Sequence, residues 1–164
     1  MVPMKGVNES EILDILEYSK ERGMTIRFIE YMENVHAEVN IKGMKSDELL
    51  AIIGSKYSYK DEGFDGHSPS HYYSLEDGYK FGIIEPYKDD FCKTCNRIRV
   101  SAEGDIIPCL YFDEALSIKE GVKNRDVKQI NAVLKEVVRT KPEKNRWSSE
   151  DGEISTRAFY ETGG

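Results

Sequence analysis

Apolar positions along this chain follow two rhythms, one helical and one alternating. Ile12, Leu13, Ile15 and Leu16 recur at helical spacing behind Asn8, an N-cap residue with Glu11 three places on, and Gly23 marks the stop. Residues 25–32 follow as a strand whose Ile26, Phe28 and Ile29 are apolar on both faces, the pattern of a covered parallel sheet. With residues 2–4 read as the end of a preceding strand, this predicts one βαβ unit with short connections. Ser46 then caps a short helix with Leu49, Leu50, Ile52 and Ile53 on its buried side. Tyrosine-rich strands are predicted at 56–60 and 71–75, separated by a loop over 63–69, and Gly78 turns into a strand at 79–84 closed by Pro86. These three are expected to be antiparallel. A last helix runs from about Asp126 to Thr140, with Val127, Ile130, Leu134, Val137 and Val138 at helical spacing, and Pro142 stops it. The polar remainder holds the lone Trp147 and ends in Gly163-Gly164, which by itself reads as a frayed terminus.

Between the antiparallel region and the last helix lies FCKTCNRIRVSAEGDIIPCL, residues 91–110, with all three cysteines of the chain. Asn96 to Val100 alternates as a strand and carries Arg97 and Arg99; Ala102-Glu103-Gly104 is a turn signal; Ile106-Ile107 leads to Pro108 and Cys109. A two-residue Glu103-Gly104 loop would need positive φ at both positions, which suits Asn or Asp better than Glu. A three-residue loop needs it only at Gly104. That version pairs Ser101 with Asp105, brings Arg97 opposite Cys109, and puts Arg97, Arg99 and Cys109 on one face; a one-residue slip would split them.

Cys92, Cys95 and Cys109 are spaced C-x2-C-x13-C, which supplies three thiolates. Three thiolates suit an iron–sulfur cubane with one iron left open, or zinc completed by a histidine or water. His36, His67 and His71 are the available fourth ligands for zinc, and none stands at zinc-finger spacing. A zinc staple gives no reason for Arg97 and Arg99. Disulfide pairing fits an odd count poorly. Cluster and zinc both remain open on the residues alone.

Composition narrows the partners. The length of 164 residues allows a domain with a real core, and a net charge of 23 − 30 = −7 argues against a nucleic-acid or anionic-membrane surface. An anionic ligand would need a local cationic cluster, for which Lys93, Arg97 and Arg99 are the dense candidate. No apolar run approaches a membrane span, no signal peptide precedes the first helix, and thiols poised for a metal point to a reducing cytoplasm. Arg27 inside a strand reads, from its neighbours alone, as a surface-reaching arginine paired with a carboxylate, and Met32 as a packed methionine.

The run F-C-x-x-C-N-R-x-R-V-S-x-x-G followed by C-L resembles the C-terminal cluster motif of the molybdenum cofactor biosynthesis protein A family, the radical-SAM GTP 3′,8-cyclases. Lys5-Gly6-Val7-Asn8, the run from Arg27 through Phe28, Ile29, Glu30 and Tyr31 to Met32, and the terminal Gly163-Gly164 match that family in the same order. The resemblance implies an α/β fold with α+β character: the C-terminal portion of an incomplete (β/α) barrel, an antiparallel β region with the cysteine hairpin, and a C-terminal helix and tail. Residues 1–35 would be the last βαβ unit of a partial radical-SAM barrel, and 36–164 an iron–sulfur and GTP-binding region. It further implies a [4Fe–4S] cluster on Cys92, Cys95 and Cys109; GTP phosphates met by Arg97, Arg99 and Arg27; S-adenosylmethionine near Met32; and an active-site tail at Gly163 and Gly164. No residue is assigned a catalytic role.

The C-x3-C-x2-C loop that radical-SAM chemistry requires has no counterpart in these residues. The expectation is therefore the C-terminal half of a lyase, inactive alone, using S-adenosylmethionine only with an N-terminal radical-SAM partner. A homodimer is left open. The rival expectations are a stand-alone iron–sulfur or nucleotide-binding module without catalysis, and a zinc-stapled interaction domain.

Overall fold

The structure is a computed structural model, and it describes residues 1–32, 40–66, 68–88, 91–93 and 95–142. The fold is mixed α/β with two sheets and no closed barrel among the described residues. Its described residues divide into two compact units, residues 1–32 with 40–93, and residues 95–142.

The first unit is a four-stranded sheet covered by two helices. Strand β1 (Arg27–Ile29) runs parallel to β4 (Lys80–Ile84), with Phe28 beside Ile83; β3 (Ser70–Leu75) and β2 (Tyr59–Phe64) complete it antiparallel, in the order β1-β4-β3-β2. Phe28, Phe81 and Ile83 are fully buried on the sheet, and Ile12 and Leu16 of α1 (Ile12–Glu21) and Leu49 and Ile53 of α2 (Ser46–Gly54) complete the core with them. Burying each such side chain is worth roughly 1.5–3 kcal/mol, so the helical stripes, rather than helix propensity, hold α1 and α2 in place.

Four expectations are modified in this unit, the first being the Ser46 cap: Ser46 is the first residue of α2 and Lys45 stands at the N-cap. The strand expected at 2–4 is an isolated bridge from Met4 to Gly43, although the Met1 amine donates to the Arg27 carbonyl at 3.0 Å and Ile29 N–H to the Met1 carbonyl at 2.9 Å, a parallel pattern beside β1. Asn8 makes no side-chain cap; its amide instead accepts from Met4 N–H at 2.8 Å and donates to the Val2 carbonyl at 3.1 Å, tying that segment to the helix start. Strand β2 begins three residues later than expected and runs on through Gly63, with a register shift between Asp61 and Gly63. It is an exposed edge strand, so its polar residues carry no alternating signal.

The second unit is a three-stranded antiparallel sheet, β5 (Arg99–Val100), β6 (Asp105–Ile107) and β7 (Leu116–Ser117), with β6 central. Helices α3 (Lys119–Lys123) and α4 (Val127–Thr140) follow, and α4 packs across β6 and β7. Asp126 caps α4 by accepting from the N–H groups of Lys128 and Gln129, both at 3.0 Å. Ile106, Ile107 and Val137 are buried, whereas Val127 and Val138, expected on the inner stripe, are exposed at 65% and 62%.

Candidate metal and nucleotide site

The cysteine hairpin forms in the three-residue version. Gly104 N–H donates to the Ser101 carbonyl at 3.0 Å, Ser101 N–H to the Asp105 carbonyl at 2.9 Å, and Gly104 takes φ +83°. In the ladder, Arg99 lies opposite Ile107 and Val100 opposite Ile106. Regular pairing stops at Arg99 and Ile107, short of Arg97 and Cys109, which the same register would bring opposite each other only if the ladder continued.

Exposure alternates strictly before the turn. Cys95, Arg97 and Arg99 are half-buried, while Asn96, Ile98 and Val100 are exposed. This inverts the usual amphipathic pattern around β5, since the charged residues are the more covered and the aliphatic ones the more exposed. Hydrophobicity does not select that pattern.

A further cation reaches this stretch. Lys141, at the C-terminal cap of α4, donates its ammonium to the Arg97 carbonyl at 2.9 Å and the Pro108 carbonyl at 2.7 Å. Burial pushes the Cys95 thiol up, but the Arg97 backbone N–H, the Lys141 ammonium and the Arg97 charge outweigh it and hold the thiol below its ordinary range. Lys141 gave no signal in the sequence, because a lysine between a helix end and a proline looks like an ordinary surface residue.

All three cysteines are thiols rather than disulfides, and all are half-buried. Cys92 sits in the turn 91–93 with exposed Lys93, at the end of the first unit, while Cys95 and Cys109 belong to the second. Among the described residues no three His, Cys, Asp or Glu side chains converge as a ready metal site. The donor chemistry nevertheless suits an iron–sulfur cluster: soft thiol ligands beside fixed positive charge. Of the histidines named as zinc ligands, His71 lies with Nε2 2.6 Å from Asp61 Oδ1 and stacks on Tyr73 at 4.8 Å, and it also packs against Phe64. His36 and His67 lie outside the described residues, as do Gly163 and Gly164.

Arg27, at the start of β1, is exposed and donates to the Tyr72 hydroxyl through Nε at 3.2 Å and Nη2 at 2.8 Å. Its expected carboxylate is thus a phenol. The Ser68 hydroxyl and the Arg27 charge draw the Tyr72 phenol below its ordinary range against an opposing effect of burial. Both residues line a cavity of about 500 Å³ together with Lys80 and Asp65. Met32 is half-buried beyond the opposite end of β1.

Two acids were missed by sequence reasoning. Glu30 and Glu85 directly follow the parallel strands β1 and β4 and are almost wholly buried. Glu30 accepts from Ser46 N–H at 2.8 Å, joining the end of β1 to the start of α2, and Lys88 lies 2.6 Å from Glu85. Burial holds the Glu30 carboxyl above its ordinary range, opposed by the Ser46 N–H and Lys45 and reinforced by Glu85. The available signal was a glutamate closing an apolar strand, at the end where parallel sheets carry their ligands.

The class these features define is a mixed α/β fold that carries a three-cysteine hairpin with two arginines on one arm. The chain belongs to the family described as Molybdenum Cofactor Synthesis C, whose profile matches residues 24–147. It is 66% identical over 164 residues to a protein of Sulfurimonas denitrificans named GTP 3′,8-cyclase, covering 100% of this chain and 51% of the relative. Proteins of the same name from Aliarcobacter butzleri and Helicobacter pylori are 56% and 50% identical, each over 99% of this chain and 51% of their own length. The chain therefore spans about half the length of the curated relatives it matches. No helix among the described residues is long and apolar enough to cross a membrane.

Proposed function

We propose that this chain is the C-terminal part of a GTP 3′,8-cyclase of molybdenum cofactor synthesis, with residues 1–35 closing a radical-SAM barrel and 36–164 forming its cluster and GTP-binding region. Cys92, Cys95 and Cys109 hold a [4Fe–4S] cluster with one iron left open for the purine of GTP. When bound, that cluster supplies a Lewis-acidic iron that fixes the base. Arg97 and Arg99 meet the triphosphate, a task suited to guanidinium forks that stay charged and donate bidentately. Arg27 is the third phosphate contact, released from Tyr72 when the anion arrives. Met32 borders S-adenosylmethionine, whose cleavage belongs to the N-terminal half, and Gly163-Gly164 line the active site. The protein works in the cytoplasm.

The observation that carries this reading is the exposure pattern along residues 95–100, in which Cys95, Arg97 and Arg99 are half-buried while Ile98 and Val100 are exposed. A zinc staple needs the thiols but not the arginines. A nucleotide held at a cluster needs both.

Anaerobic reconstitution tests it. The protein should turn brown, take up about four irons and lose them in air, because three thiolates leave one iron exposed. Tight zinc uptake without iron would overturn the assignment. GTP turnover should require an added N-terminal half, and 5′-deoxyadenosine released by this chain alone would contradict the division of labour.

A further inference from the structure

Beyond Arg99 and Ile107 the two arms of the hairpin leave the ladder, and the cysteine-bearing residues lie in that continuation. A lysine ammonium has three donors. Lys141 directs two of them to the Arg97 carbonyl on one arm and the Pro108 carbonyl on the other. Pro108 immediately precedes Cys109, and Arg97 follows Cys95 by two residues. One cation from the end of α4 thus ties both arms together at the level of two thiols, where strand pairing has stopped. Both bonded carbonyls are partly buried, so each would lose a partner without it. Arginine at this position would keep the charge, but its longer, planar fork would not reproduce the two carbonyl contacts of a compact ammonium.

We propose that Lys141 is a positioning residue of the cysteine site, clamping the arms that carry Cys95 and Cys109 and placing a fixed positive charge beside the sulfur ligands. The proposal rests on the cluster assignment above. Outer-shell partners that orient metal ligands are commonly worth 10–100-fold in metal affinity, and a nearby cation favours the reduced, more negative form of a cluster.

The test compares Lys141→Met and Lys141→Arg with the unaltered protein after anaerobic reconstitution. Lys141→Met keeps the aliphatic stem and should retain iron roughly ten-fold less tightly against a chelator. The cluster it does hold should show a more negative midpoint potential by redox titration. Lys141→Arg should restore the potential while recovering iron retention only in part, a split that a merely structural role would not produce. Unaltered iron retention together with an unaltered potential in Lys141→Met would overturn the proposal. If the unaltered protein takes up no iron, the cluster assignment fails instead. The clamp is then judged on metal-free protein, where Lys141→Met should speed amide hydrogen exchange across 97–109, and unchanged exchange would overturn it.

Discussion

Ser101 and Asp105 face each other across the loop of the cysteine hairpin: Ser101 N–H donates to the Asp105 carbonyl at 2.9 Å, and Asp105 N–H donates to the Ser101 hydroxyl at 3.1 Å. This pair fixes the register that sets Arg99 opposite Ile107. It depends on Gly104, whose φ of +83° is left-handed. A side chain there pays the left-handed penalty of about 1–2 kcal/mol, and an added Cβ would also stand 3.3 Å from Lys119 Cγ. Gly104→Ala should therefore lower stability by about 1–2 kcal/mol in urea unfolding, with Gly104→Asn less affected. A Gly104→Ala protein as stable as the original would show that the turn is not held in this form.

Arg97 and Arg99 carry the anion-binding part of the proposed function. Replacing either with alanine should weaken GTP binding while leaving the iron content unchanged. Loss of a charge-assisted hydrogen bond is worth about 1.5–3 kcal/mol, or roughly ten- to a hundred-fold in Kd. Equilibrium binding to cluster-loaded protein measures this. An unchanged Kd in the double variant would remove both residues from the site.

Where local physics decides the structure, the sequence was readable. The stripes Ile12–Leu16 and Leu49–Ile53 announced α1 and α2, Asp126 and Pro142 bracketed α4, and Glu103-Gly104 selected the turn and hence the hairpin register. Distant partners decide the remainder. Arg27 finds a hydroxyl on Tyr72, 45 residues away, and Lys141 finds carbonyls 44 and 33 residues upstream. Strands as short as β7 and helices as short as α3 exist because β6 and α4 support them, since so few residues carry little periodicity. The polar edge strand β2 shows how an exposed, bulged strand escapes the alternating pattern.

Glu30 offers a pH prediction with a definite sign. Burial is the main cause of its raised carboxyl, so the folded state binds a proton more tightly than the unfolded state. The charged form therefore weakens the fold above the raised folded value, and protonation relieves this as pH falls toward the ordinary value of about 4.3. Glu30→Gln removes the buried charge yet keeps an oxygen to accept from Ser46 N–H. The variant should melt at or above the original at pH 7, with the difference shrinking toward pH 4. Thermal unfolding across that range decides it, and a Glu30→Gln protein that melts lower at pH 7 would mean that Lys45 and the Ser46 bond outweigh burial.

The placement of α4, and with it Lys141, depends on a close approach between α3 and α4 at Gly121. A Cβ added there would lie 2.7 Å from Ile130 Cγ1 and 3.4 Å from the Ile130 backbone nitrogen, so a helix must shift or a side chain must leave its rotamer. In an open helix, Gly→Ala gains up to about 1 kcal/mol from propensity alone. Overpacking of this kind costs about 1–3 kcal/mol, and with so short a contact it should win. Gly121→Ala is accordingly expected to destabilise the protein in chemical denaturation. Ile130→Ala removes the clashing carbon, so the double variant should be more stable than the sum of the single changes implies. A stabilised Gly121→Ala protein, or strictly additive effects, would show that the two helices are not held at this distance.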